Sequence, residues 1–189
     1  MIYMFVGIMK IGLVRHFKVK HSFPDKFLLS ADEVIQWFDA YEAASLEISA
    51  VELRNVSWEK CYASPLNRAI QTANYIFKGD ITISPSLTEL PADPFLYKKI
   101  KLPFLLWGLI VRVRSAFSGD ETEAFKHRIN NFLDEILAGK EQNVLIVSHV
   151  FVMQHLQQEL IRRGFKGEKF KRPYYGRLYI FEKESNMNL

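Results

Sequence analysis

A single cysteine, Cys61, is the whole thiol content of the chain. No internal disulfide can form, a cysteine-based zinc site is excluded, and a reducing compartment, the cytoplasm, is the expected location. Glycine and proline are sparse, at 9 and 7 residues, and no Gly/Ser-rich linker, internal repeat or low-complexity tract interrupts the sequence. With 49% hydrophobic and 24% charged residues among 189, long disorder is excluded and one domain over residues 1–189 is expected. Long apolar runs are missing as well. Leu102 to Val111 holds ten uncharged residues, about half of the roughly 20 that a spanning helix needs, so no transmembrane span is expected. Lys98, Lys99, Lys101, Arg112 and Arg114 flank that run, which leaves an interfacial anchor and a lid over a pocket both open. Met1 to Met9 lacks a basic start and a small-residue cleavage site, and reads as an extension or an over-long start rather than a signal.

The charge that is present is mildly basic, +4 with pI near 9.1, which favours anionic ligands such as phosphorylated molecules. Lys and Arg recur from Arg162 to Arg177. Without an RNA- or DNA-binding motif beside it, this run reads as a solvated helix end and loop, and a nucleic-acid partner is disfavoured.

Short β-rich runs alternate with amphipathic helical runs, the pattern of an α/β sheet with crossover helices. Strands are expected at Ile11–Arg15, ending near Tyr62, at Ile81–Ile83, at Val144–Ser148 and at Leu178–Phe181. A helix should start at Ser30, with Glu33 completing a capping box. Another should open at Ser64-Pro65, with the serine as cap and the proline at the first position. Further helices are expected over about Glu121–Ala138 and from His149 to about Arg163. Residues 91–119 read as an irregular insertion or cap, in which the aromatic segment Phe95–Phe117 is either a lid or an extra packed helix.

Ligands of open α/β sheets bind beyond the carboxyl ends of the strands. Arg15 and His16 end the first strand, Arg68 lies on the first turn after the second, and His149 follows Val144–Ser148. Two arginines and two histidines at one sheet edge make an anion site with a nucleophile inside it. Arginine offers phosphate a planar fork that never loses its charge. A neutral imidazole attacks phosphorus near neutral pH, and a carboxylic acid must then protonate the departing alkoxide. This chemistry requires no metal or other cofactor.

Leu13-Val14-Arg15-His16 resembles the Arg-His-Gly signature of the histidine phosphatase superfamily, whose fold is phosphoglycerate mutase-like. Ser64-Pro65-Leu66-Asn67-Arg68-Ala69-Ile70-Gln71-Thr72-Ala73 is similar to its second arginine motif, and Val144–His149 to the strand that delivers its second histidine. The resemblance implies a three-layer α/β/α sandwich with a mostly parallel sheet. It implies a metal-independent phosphatase for a small anionic phosphomonoester, or for a phosphoprotein. His16 would carry the phosphoryl group, and Arg15, Arg68 and His149 would hold it. Leu87-Thr88-Glu89 matches the family's Leu-x-Glu, making Glu89 the candidate acid, with Asp93 in reserve.

The chain departs from the family pattern in places. Phe17 replaces the glycine after the histidine, which would narrow the pocket or shift a phosphate-binding amide and would suit a binding module with weak turnover. Val150 follows the second histidine where a small residue is common. The extended mutase stretch with its Ser and Trp-Asn is absent, which disfavours a mutase, and no Gly-x-x-Glu-Gly run follows Glu89. His21, His127 and His155 show no metal-ligand spacing. Six residues separate Cys61 from Arg68, one more than in cysteine phosphatases, so Cys61 reads as a buried apolar thiol.

Overall fold

The computed structural model describes residues 6–89, 100–117 and 119–186. In chain order the elements begin with β1 (Val6–Arg15), β2 (Lys18–Val19), β3 (Leu28–Leu29), α1 (Ala31–Ala43) and β4 (Leu46–Glu47). Next come β5 (Lys60–Ala63), α2 (Asn67–Ile76), β6 (Ile81–Ile83), β7 (Leu102–Pro103) and α3 (Phe104–Phe117). The chain finishes with α4 (Gly119–Leu137), β8 (Asn143–Ser148), α5 (Val150–Arg162), β9 (Lys166–Gly167) and β10 (Leu178–Asn186). They fall into two compact units, one of Met1–Phe17, Ile48–Glu89 and Arg128–Leu189, the other of Lys18–Glu47 and Leu90–His127.

The first unit is built on a six-stranded sheet of order β6-β5-β8-β1-β10-β9. The four strands from β6 to β1 run parallel, and β10 and β9 close the edge antiparallel. The α/β class read from the alternating pattern is the one observed, as a mixed sheet flanked by helices. Val144, Leu145, Ile146 and Val147 are all buried, as a parallel strand covered on both faces requires. α2 turns Arg68, Ala69, Thr72, Ala73 and Ile76 inward, a helical stripe against the sheet.

The second unit has a small core of Leu29, Ala31, Val34 and Trp107, with Phe38, Leu102 and Phe104 packed around it. The Trp107 indole N–H donates to Leu29 O at 2.8 Å, satisfying the one polar atom that burying a tryptophan brings with it. The capping box at Ser30 and Glu33 is formed as expected.

Three expectations are corrected. The N-terminal extension is structural from Val6 onward, because Val6 to Met9 pair antiparallel with Asn186 to Lys183. α2 starts at Asn67, with Leu66 in the cap position and no side-chain cap; Ser64 stands two residues before the cap position and accepts from Leu66 N–H at 3.4 Å. Residues 104–117 are helical, which corrects the irregular reading of 91–119 and agrees with the extra-helix alternative for that segment. An apolar run lacking polar punctuation hides the 3.6-residue period that would have marked it.

Candidate active site

Parallel register brings the site together. Arg15 is the partner of Ser148 across β1 and β8, and Ala63 is the partner of Val147 across β5 and β8. The residues after these strand ends, His16, His149 and Ser64, therefore meet at one edge. His16 N–H donates to Ser148 O at 3.0 Å and Ser64 N–H to Val147 O at 3.1 Å. All four sequence-derived side chains are buried there, with Arg15 6%, His16 3%, Arg68 9% and His149 1% exposed.

The hydrogen bonds assign the His16 tautomer. Nδ1 lies 2.7 Å from Phe17 O, a group that only accepts, so Nδ1 carries the proton. Arg68 Nε, which only donates, lies 3.3 Å from Nε2, so Nε2 holds the lone pair. His149 Nε2 lies 2.8 Å from Ser64 Oγ, and its buried Nδ1 has no hydrogen-bond partner among the described residues. The two rings stand 5.1 Å apart.

Burial, followed by the Arg68 guanidinium, lowers the His16 imidazole to about 3; the Phe17 carbonyl opposes this and Arg15 adds to it. Burial, then Arg68, His16 and Arg15, lower His149 to about 2. Both rings are neutral at neutral pH, inside a site whose charge comes from arginine.

This has a stability consequence. Below the ordinary value of 6.5 the unfolded chain takes up protons at these histidines while the folded chain does not. Stability is therefore lost as pH falls below about 6.5, by up to about 1.4 kcal/mol per pH unit for each ring. The urea midpoint is expected to drop between pH 7 and pH 5, and His149→Gln should make that dependence shallower by about one proton. An unchanged slope would mean that His149 is not held neutral in the fold.

Phe17 does not cover the imidazoles. Its ring is buried, lies edge-on to Tyr75 at 5.5 Å and abuts Gly176. Its backbone N–H donates to Thr72 Oγ1 at 2.9 Å, and that hydroxyl donates to Arg68 O at 2.7 Å. The amide beside the nucleophile candidate is thus tied to α2 one turn beyond Arg68.

Glu89 is half-buried, and its Oε2 accepts from Phe151 N–H at 3.1 Å, at the start of α5. His149 is the cap residue of that helix, so Glu89 is held two residues along the backbone from it. Ser148 Oγ–H donates to Leu87 O at 2.9 Å and Arg128 Nη2 to Thr88 O at 2.6 Å, which pins the loop that carries Glu89. Asp93 lies outside the described residues. Among the described residues no group of three or more His, Cys, Asp or Glu side chains is placed to hold a metal.

Sequence reasoning missed two residues. Ser64, read as a helix cap, accepts from Leu66 N–H at 3.4 Å and also bonds His149. Tyr175, in the basic run read as a solvated loop, lies 3.5 Å under the Arg15 guanidinium and 5.5 Å edge-on from His16. Arg15 Nη1 donates to Pro173 O at 3.1 Å, and Gly176 N–H to Arg15 O at 2.9 Å. Part of the basic run thus forms the wall behind Arg15. Its Pro-Tyr-Tyr-Gly punctuation was the available signal for a structured turn.

The sequence pattern of the histidine phosphatase superfamily (branch 1) matches residues 43–185. No curated protein sequence matches the chain. Among solved structures, the alpha-ribazole phosphatase from Shigella flexneri is similar, with a TM-score of 0.56 and 20% identity over 96% of each chain. Phosphoglycerate mutase from Bacillus anthracis str. Sterne superposes with a TM-score of 0.51 and 18% identity over 96% of this chain and 93% of the other. At these identities the likeness is one of fold.

Proposed function

The chain belongs to the histidine phosphatase superfamily, and from that premise we propose that it hydrolyses a phosphomonoester through a phosphohistidine on His16. The observation that carries this reading is the assigned tautomer. Nε2 offers a lone pair inside a buried site flanked by two guanidiniums.

In the proposed first step the Nε2 lone pair forms the N–P bond and the P–O bond to the leaving group breaks. Glu89, as carboxylic acid, gives its proton to the departing alkoxide. Arg68 swings its N–H from Nε2 to a phosphoryl oxygen, and Arg15 holds another. Ser64 donates its hydroxyl proton to His149 Nε2, which leaves His149 Nδ1–H to donate to a third oxygen without adding charge. Phosphoryl charge is thereby stabilised where it develops, the main task in this chemistry. In the second step water attacks phosphorus, its proton passes to the Glu89 carboxylate, and the N–P bond breaks. Nδ1–H, held by Phe17 O, remains in place throughout. The placement of the Phe17 ring against Tyr75 and Gly176 favours turnover over the binding-module reading.

The substrate class is a small anionic phosphomonoester, and a single cysteine, Cys61, fits a cytoplasmic enzyme. The test is incubation with an aryl phosphate and with a labelled phosphate donor. Turnover, with an acid-labile, base-stable label that maps to His16, is the expected result. Phosphate binding without turnover or label would overturn it.

Tyr175 gives a second test. Losing its face frees the Arg15 guanidinium to tilt, and misplacement on the 1 Å scale costs up to about 100-fold in rate. Tyr175→Leu is expected to lower kcat/KM by about 10–100-fold, mostly in kcat, while Tyr175→Phe, which keeps the ring, stays near wild type. Equal losses in both variants would assign the effect to the hydroxyl instead.

A further inference from the structure

Phe132 of α4 is buried and stands edge-on to Tyr62 of β5 at 5.3 Å. Arg128 lies one turn before Phe132 and so on the same face of the helix, where it is half-buried. A cation drawn partly out of water is costly unless its donors and its charge find partners. Arg128 Nη2–H donates to Thr88 O at 2.6 Å. Burial lowers the guanidinium from its ordinary value, and the negative charge of Glu89 opposes that. Arg128 therefore grips the backbone one residue before Glu89 and also acts on the carboxylate itself.

Two helices thus hold the candidate acid. At the start of α5, Phe151 N–H donates to one carboxylate oxygen of Glu89. From α4, Arg128 holds the carbonyl just before it. The two supports are themselves joined, because His155 Nε2 of α5 lies 3.1 Å from Asn130 Oδ1 of α4. Fixing a carboxylate oxygen alone leaves the backbone behind it free to shift. Fixing the Thr88 carbonyl as well removes that freedom.

Losing Arg128 would have two opposed effects. Its charge favours the carboxylate, so without it Glu89 takes up a proton more readily, a gain of about fivefold at most between partly exposed charges. Without its grip on Thr88 the acid is misplaced, and misplacement on the 1 Å scale costs up to about 100-fold. Position outweighs charge.

We propose that Arg128 is a positioning residue, which acts through Glu89 to set the proton donor against the leaving group. The inference rests on the phosphatase reading and on the acid role given there to Glu89.

The test compares kcat/KM for phenyl phosphate and p-nitrophenyl phosphate. Phenoxide needs a proton as it departs, whereas p-nitrophenolate leaves as a stabilised anion, so the first ester depends far more on a well-placed acid. Arg128→Met is expected to lower kcat/KM by about 10–100-fold for phenyl phosphate and by no more than about threefold for p-nitrophenyl phosphate. In a Glu89→Gln background the same substitution should cost less than about threefold on either ester, because the group it places is gone. Arg128→Lys keeps the charge and a donor on a shorter reach. It should show the same split between esters at smaller size, which keeps the test valid if the methionine variant unfolds. With wild-type turnover and the His16 label intact, equal losses on both esters would overturn this inference alone. So would a loss undiminished in the Glu89→Gln background. A wild-type chain that turns over neither ester would overturn the phosphatase reading and this inference with it.

Discussion

With alanine in place of His16, kcat/KM for an aryl phosphate is expected to fall by at least about 10⁴-fold, with the fold retained. The magnitude follows from what is removed. Without an imidazole lone pair there is no covalent intermediate, and the reaction reverts to direct attack by water. Arg15, Arg68 and His149 would still bind and polarise the phosphate, so a residual rate over solution is expected. Phosphate affinity should change little or rise, because Arg68 loses the Nε2 acceptor that occupies it and the cavity gains room. The phosphoryl label should vanish altogether. Turnover near the wild-type level in His16→Ala would sink the mechanism outright, whereas loss of phosphate binding along with turnover would point to a collapsed site. Measuring kcat/KM, label and phosphate affinity on one preparation separates these outcomes.

Gly176→Ala is expected to lower stability by about 3 kcal/mol, the sum of two terms. Gly176 has φ +61, in the left-handed region, where a side chain costs about 1–2 kcal/mol. A Cβ there would also lie 2.9 Å from two ring carbons of Phe17 and 3.0 Å from Ser49 Oγ, and such overpacking costs about 1–3 kcal/mol. Thermal unfolding should move down by about 6–12 °C. Phe17→Leu on the Gly176→Ala background should recover part of the loss, because it shortens the clashing group; that sign of coupling is measurable in a double-mutant cycle. A stability equal to wild type would mean that the turn differs from the one described. The substitution should also lower activity, because Gly176 N–H anchors Arg15 O and Tyr175 is its neighbour.

The contrast between these two residues shows what a sequence can carry. His16 and His149 were legible because each directly follows a hydrophobic strand, and parallel strands in an α/β sheet end at a common edge. Arg68 was legible because its helix follows a strand after a short connection. No rule of spacing leads to Tyr175. Its contact with Arg15 joins residues more than 150 positions apart, and arises only once the segment before β10 folds back beside β1. Ser64 was read only in part for a related reason. A serine before a proline and a helix has a strong local role, and here its Oγ takes the Leu66 N–H at 3.4 Å while a tertiary partner, His149, meets the same oxygen. α3 stood as one of two readings of Phe95–Phe117, because its stretch from Phe104 to Val111 carries no polar side chain to mark an amphipathic period. The two-residue pairings β2–β4 and β3–β7 fall below the length at which alternation can be read.

In the mechanism proposed for His16, the contact between Arg68 Nε–H and His16 Nε2 would also act as a filter. In the resting site the attacking electron pair is masked by a cation. An approaching electrophile reaches it only by offering that cation something better, and an anionic oxygen does so where a neutral ester or an alkyl halide does not. Under that proposal, selectivity for charged substrates would be imposed before any bond to phosphorus begins to form, and the exchange that recognises the anion would uncover the proposed nucleophile.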